Sequence, residues 1–357
     1  VRMGYPDLPA INGELEFSGS LFDVAKLNVN LRTCDRVYIK LLEFKATTFD
    51  EIFENVCKIS WSEFLPKNAK ILVNGNAVKS QIYAISACQK IIKKAIIVSL
   101  QKSYHIEYFS ETGAEFQIEF KLFKDTMKIL LNTSGEGLHK RGYRYLVGIA
   151  PIKETLASSL VLLSDYYYER PLADPFCGSG TILIEGAMIG LNIAPNKDRQ
   201  FAFDKWDFFD KNIKKEVISE AVNNEKRDRK IEIFGSDIDS KAIKLATHHI
   251  ERTGLKDYIK VKTLPVKNFE TELKNGTIVT NPPYGERVYD RREAEECYKD
   301  LRFAFDKLDN WSLFLITSAN NFTKCFGKKA DRDRKLYNSN KECKYYYFYK
   351  DREKLKG

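Results

Sequence analysis

The stretch ADPFCGSGT, residues 173 to 181, sets two glycines two positions apart between a short apolar run and a helical one. Gly178 and Gly180 let the chain turn tightly and let backbone N–H groups approach a ligand, while the following helix offers its positive N-terminal end. A dinucleotide fingerprint runs G-x-G-x-x-G, but the third position here is Leu183, which argues against a pyrophosphate cradle. Asp174, just before the loop, disfavours phosphate and favours a cationic ligand group. S-adenosylmethionine carries one in its α-ammonium. Cys177 reads as a small residue in a tight turn.

Outward from this loop the pattern alternates. The spacing predicts helices at 152–164, 180–190, 210–228, 240–252 and 293–308, and strands at 171–176, 231–236, 259–263, 276–280 and 311–317. Two further runs follow near 334–338 and 344–349. Repeated β/α units imply a parallel sheet wrapped by helices, with an insertion around 191–228 to be accommodated. Ligands of such a sheet bind beyond the carboxyl ends of its strands.

Two more strand ends therefore carry weight. FGSDID, residues 234 to 239, offers Asp237 as a carboxylate for both ribose hydroxyls, Ile238 for the adenine face and Asp239 as a helix N-cap. TNPPYGER, residues 280 to 287, leaves its strand through two prolines, which cannot donate to a ladder and hold a rigid, extended exit. An exocyclic base amine is a poor nucleophile because its lone pair is delocalised into the ring. The side-chain carbonyl of Asn281 and the backbone carbonyl of Pro282 can hold such an amine with its lone pair aimed at a sulfonium methyl. Asparagine is no base, so the catalysis is positional and electrostatic. Tyr284 supplies a face on which an extruded base can stack. A covalent cytosine-C5 mechanism would need a cysteine in this loop.

The first half reads as mixed α/β: strands at 13–17, 37–41, 71–73, 115–122 and 126–132, and helices at 20–32, 48–60 and 80–100. TSGEGLHKRGYR, residues 133 to 144, is the expected junction between a region 1–144 and a region 145–357. Lys140, Arg141 and Arg144 in it are expected to neutralise phosphates.

The 357 residues, 43% hydrophobic and 30% charged, are ordinary for a globular protein, and the net charge of +9 fits a polyanion partner. No apolar run approaches the ~20 residues of a membrane span and no signal peptide is evident, so the expected location is the cytoplasm. Seven cysteines without a C-x-x-C pair, and four histidines without cysteines at ligand spacing, give no disulfide framework and no metal site.

DPFCGSGT, GSDID and NPPYGER, with TSGEGLHKRGYR, APIKETLA (150–157) and RKLYNSNKECKYY (334–346), resemble the bacterial THUMP-domain methyltransferases of the 23S ribosomal RNA guanine-N2 type. The resemblance covers essentially the whole chain, and EFKATTFDEIFE (43–54) and the helix at 80–100 are similar to the family's ferredoxin-like and THUMP portions. It implies a Rossmann-like class I methyltransferase domain behind an N-terminal α+β RNA-binding region, with S-adenosylmethionine as donor and 23S rRNA or a ribosome assembly intermediate as partner. By the matching motifs, Asp174, Cys177, Gly178 and Gly180 would line the methionine end and Asp237 the ribose, while Asn281, Pro282 and Tyr284 would hold the base. Asn268 stands where relatives often carry an aspartate against the adenine amine. The chain also starts at Val1 without a methionine and is expected to lack the first strand and helix of the N-terminal unit, through truncation or disorder. Rival readings are a tRNA guanine-N2 or DNA adenine-N6 methyltransferase and a non-catalytic RNA-binding protein. A sulfur-transfer enzyme would need an S-G-G-x-D-S loop, which is absent.

Overall fold

The structure, a computed structural model, describes residues 3–5, 8, 10, 13–144, 152–285 and 288–349. Glu286 and Arg287 of the NPPYGER motif and the first two residues of APIKETLA lie outside the described residues. The chain forms two compact units that interleave in sequence: one gathers residues 1–29, 36–136 and 200–219, the other 30–35, 137–199 and 220–357.

The first unit holds α1 (Leu21–Asn30), β1 (Tyr38–Lys45), α2 (Phe49–Cys57), β2 (Lys70–Val78), α3 (Ile85–Tyr104), β3 (Glu115–Phe123) and β4 (Thr126–Asn132). Its sheet runs β1-β4-β3-β2, with β2 and β3 parallel and the other neighbours antiparallel. Parallel neighbours need a crossover, and α3 supplies it, burying Cys88, Ile92, Ala95, Ile96 and Leu100 on one stripe. Thr48 and Glu51 close a capping box at the start of α2. Residues 13–17 are not a strand: Leu15 is exposed, and Glu14 and Glu16 pair with Lys121 and Lys128. The alternation there comes from charge pairing rather than from a ladder.

Residues 200–219 complete this unit's core, an arrangement no periodicity announces. Trp206 is fully buried and stacks on Phe116 of β3 at 5.4 Å, Phe208 meets Phe64 edge-on at 5.7 Å, and Phe203 stacks on Phe209 at 4.4 Å. The segment spans a tight 3-10 turn, Ala202–Lys205, and the beginning of α6 (Lys211–Asn223).

The second unit contains α4 (Glu154–Leu163), β5 (Leu172–Asp174), α5 (Thr181–Gly190), β6 (Ile233–Asp237), α7 (Ser240–Arg252), β7 (Ile259–Thr263), β8 (Thr277–Thr280), α8 (Val288–Lys307), β9 (Ser312–Thr317), α9 (Phe322–Phe326), β10 (Arg332–Asn338) and β11 (Lys341–Phe348). Its seven described strands run β10-β11-β9-β8-β5-β6-β7. Strands β5 to β9 are parallel to their neighbours, and the terminal hairpin joins β9 antiparallel. Both faces are covered, one by α4, α5 and α7 through Leu160, Leu183 and Ile250, the other by α8 and α9 through Tyr298, Phe305 and Phe322. The chain proceeds outward from β5 through β6 to β7, then returns to place β8 on the other side of β5. That reversal opens a crevice at the carboxyl ends of β5 and β8.

Candidate active site

The glycine turn sits at the end of β5. Gly180 N–H donates to the Cys177 carbonyl at 2.8 Å, and Gly178 and Gly180 take φ of +50° and +80°, which favour glycine. A Cβ on Gly180 would stand 3.2 Å from that of Ala246, whereas one on Gly178 would meet open space. The turn is tied to β6: Cys177 N–H donates to the Ser236 carbonyl at 2.9 Å and Gly178 N–H to Asp237 Oδ2 at 3.0 Å. Asp239 N–H donates to Asp237 Oδ1 at 3.0 Å, so the Asp237 carboxylate is oriented at both oxygens, and Asp239 caps α7 through Lys241 N–H at 2.8 Å. Ile238 is 74% exposed beside it, unusual for a large apolar residue. Asn268 is exposed at the end of the turn Val266–Asn268 leaving β7.

This set fits S-adenosylmethionine on the structure's own terms. An oriented carboxylate suits a ribose, an uncovered isoleucine suits an adenine face, and a glycine cradle leaves space where a Cβ would stand. Cys177 is buried, and burial pushes its thiol far above the usual range, so it is no nucleophile.

The NPPY segment leaves β8 on the other side of the crevice. Thr280, at the last position of β8, donates to Asp174 Oδ1 at 2.6 Å and so fastens the two loops together. Asp174 is buried and also accepts Phe176 N–H at 3.1 Å; burial pushes its carboxyl up to about 7. Tyr298 of α8 donates to the Pro283 carbonyl at 2.8 Å and pins the proline exit. The Tyr284 hydroxyl donates to Asn281 Oδ1 at 2.7 Å, accepts from Asn338 Nδ2 at 3.3 Å, and has Lys341 Nζ 5.9 Å from its ring centre. Tyr284 is thus half-buried against the β10–β11 hairpin, with its hydroxyl on Asn281 Oδ1.

The basic strap needs correction. Arg141 is 5% exposed, and its guanidinium donates to the Leu31, Arg32 and Leu138 carbonyls and to Asn196 Oδ1, with Glu185 3.5 Å away. It is a strut inside the second unit, closed to phosphate. Arg144 pairs with buried Glu154 at 2.8 Å and donates to the Ile152 carbonyl at 2.9 Å, so it too serves the interior. Lys140 alone of the three is exposed. Sequence reasoning also missed Thr280, Tyr298, Asn338 and Lys341, whose contacts arise only once β8, α8 and the hairpin meet.

Comparison with known proteins adds to this geometry. The UPF0020 family model, described as the RMKL-like methyltransferase domain, matches residues 141–347, a THUMP domain model matches 46–132, and a model of the RlmL ferredoxin-like domain matches 1–38. The chain is 44% identical over 340 residues to "Putative RNA methyltransferase YpsC" of Bacillus subtilis (strain 168), covering 95% of this chain and 88% of that protein. It is 30% identical over 350 residues to "Ribosomal RNA large subunit methyltransferase K/L" of Psychromonas ingrahamii, covering 96% of this chain but 47% of that protein, and so spans about half of that relative's length. A crystal structure of a "predicted N6-adenine-specific DNA methylase" from Listeria monocytogenes superposes with a TM-score of 0.93 at 41% identity, over 98% of this chain and 90% of that one. The "Crystal structure of SMU.472, a putative methyltransferase complexed with SAH" superposes with a TM-score of 0.88 at 39% identity, over 94% of this chain and 89% of that one.

Proposed function

This chain belongs to the RMKL-like methyltransferase family, and on that premise we propose that it methylates the exocyclic N2 amine of a guanine in 23S ribosomal RNA. S-adenosylmethionine is the methyl donor. When bound it supplies an electrophilic methyl on a sulfonium.

The chain's residues divide the remaining work. Asp174, Cys177, Gly178 and Gly180 line the amino-acid end, Asp237 takes the ribose hydroxyls, Ile238 lies on the adenine and Asn268 stands at its edge. Asn281 Oδ1 and the Pro282 carbonyl accept from the target amine and turn its lone pair toward the donor. Asn281 Oδ1 exchanges the Tyr284 hydroxyl for an amine N–H, and the displaced hydroxyl still accepts from Asn338 Nδ2. Tyr284 offers its ring to the base, and the surplus proton leaves after transfer. Residues 1–144, which include the THUMP match, grip RNA, with exposed Lys140 as a phosphate contact.

The observation that carries this reading is the 2.6 Å bond from Thr280 to Asp174, which joins the acceptor loop to the glycine loop at the sheet's reversal. The THUMP match favours RNA over DNA. The experiment is transfer of tritiated methyl from S-adenosylmethionine to ribosomal RNA, tRNA and duplex DNA, followed by nucleoside analysis. Label in N2-methylguanosine of 23S rRNA is expected. Label confined to DNA, to tRNA or to N6-methyladenosine overturns the assignment.

A further inference from the structure

A cavity of about 420 Å³ opens beside the NPPY segment, within the ~300–1,000 Å³ typical of ligand pockets. Its walls include Tyr284 from the loop after β8, Arg291, Glu295 and Tyr298 from α8, Asn321 from the loop after β9, and Lys341 from the hairpin. Among the described residues, none from the loops leaving β5 and β6 lines it. It therefore lies on the half of the carboxyl edge away from the cofactor residues, and Tyr284 connects it to the amine acceptor, lining the cavity while its hydroxyl touches Asn281 Oδ1.

Glu295 has a one-sided arrangement. Asn321 Nδ2 donates to its Oε1 at 2.5 Å, and Arg291 Nε stands 3.6 Å from the same oxygen. Oε2 has no partner among the described residues, and the side chain is 34% exposed. A carboxylate oriented through one oxygen, with the other turned to a polar cavity, is built to accept from a ligand N–H.

Purine bases differ at the atom such a group would meet. Guanine carries N1–H directly beside its N2 amine, so a base with N2 on Asn281 presents a second donor along the same edge. Adenine presents an N1 lone pair there, which a carboxylate repels. We propose that this cavity receives the extruded guanine and that Glu295 Oε2 accepts its N1–H, making Glu295 the residue that selects guanine over adenine. The inference rests on the proposed transfer to a guanine amine. Asn321 acts as a positioning residue, holding the carboxylate, and Tyr284 forms one wall.

The test compares wild-type enzyme with Glu295→Gln and Asn321→Ala on 23S rRNA extracted from a deletion strain, and on synthetic oligoribonucleotides of the labelled segment. One oligonucleotide carries guanine at the target and the other 2,6-diaminopurine, which keeps the N2 amine but has a lone pair at N1. Wild type should favour guanine by about 10- to 100-fold in kcat/KM, the discrimination typical of a base-edge contact. Glu295→Gln should lose about that factor on guanine and narrow or reverse the preference, because its amide can donate to the N1 lone pair. Asn321→Ala should show a smaller loss in the same direction. Affinity for S-adenosylmethionine and melting temperature should stay at wild-type values in both. Undiminished guanine transfer by Glu295→Gln, or an unchanged preference for guanine over diaminopurine, overturns the role of Glu295 while leaving the guanine assignment standing. Wild-type label in adenine overturns the guanine assignment itself, and this inference with it.

Discussion

Asn281 and Tyr284 share one hydrogen bond, so their variants should separate positioning from stacking. Asn281→Ala should abolish methyl transfer while cofactor affinity, by calorimetry, stays within several-fold; strong loss of affinity would show that the residue is misassigned. Tyr284→Phe keeps the ring and should retain transfer within about ten-fold. Tyr284→Ala should lose more, toward the ~1–3 kcal/mol of a base–aromatic stack. Asp174 makes a pH prediction. Its carboxyl titrates at 3.8 when unfolded and is pushed by burial up to about 7 when folded. Below about pH 4 both states hold the proton. Between there and about pH 7 the folded state keeps a proton that the unfolded chain has released, so stability falls as pH rises and levels above that window. Measured by urea unfolding without cofactor, wild type should lose about 2–3 kcal/mol between pH 5 and pH 8 relative to Asp174→Asn, from ~1.4 kcal/mol per pKa unit. Parallel profiles would sink the point. The turn at Gly178 and Gly180, the strand-end place of Asp237 and the proline exit after Thr280 were legible because glycine spacing, a carboxylate at a strand end and a double proline act locally. Arg141 was misread because a basic residue in a glycine-rich run looks alike solvated or buried until Glu185, 44 residues on, packs beside it.

Strand β6 must lie close under the glycine turn. A Cβ at Gly235 would stand 2.5 Å from Leu183 Cδ1, and 3.0 Å from both the Asp174 carbonyl and Cys177 Cβ. Gly235→Ala should therefore cost about 1–3 kcal/mol of stability by overpacking. It should also weaken S-adenosylmethionine binding, because the turn it displaces is the one that holds Asp237 through Gly178. Thermal unfolding and calorimetry read the two effects; a variant with wild-type values in both would refute the close approach. Most elements could be read from periodicity, since a helix such as α3 repeats its apolar stripe over twenty residues. The order of strands could not. Nothing near Thr280 states that β8 will lie beside β5, and nothing near Glu295 separates a solvated i, i+4 pair with Arg291 from a wall of a cavity.

At the scale of the whole chain, the interleaving of the units escaped the sequence because FAFDKWDFF, residues 201 to 209, has neither helical nor strand period. Its rings pack by shape against Phe116 and Phe64, which no local pattern encodes. Trp206→Ala should destabilise the first unit by about 3–5 kcal/mol, as large-to-small changes in a full core do. Trp206→Phe should cost less, since the buried indole nitrogen makes no hydrogen bond among the described residues. Urea unfolding followed by tyrosine fluorescence distinguishes them, and equal costs would count against the stacking account. The late position of these aromatics also bears on biosynthesis. The core around Phe116 stays open until residue 219 has been translated, roughly 4–15 s after residue 144 at ~5–20 residues per second. During that interval the nascent chain presents a sticky aromatic face, so slowed translation or loss of trigger-type chaperones should harm the yield of this protein more than that of one whose units are continuous in sequence.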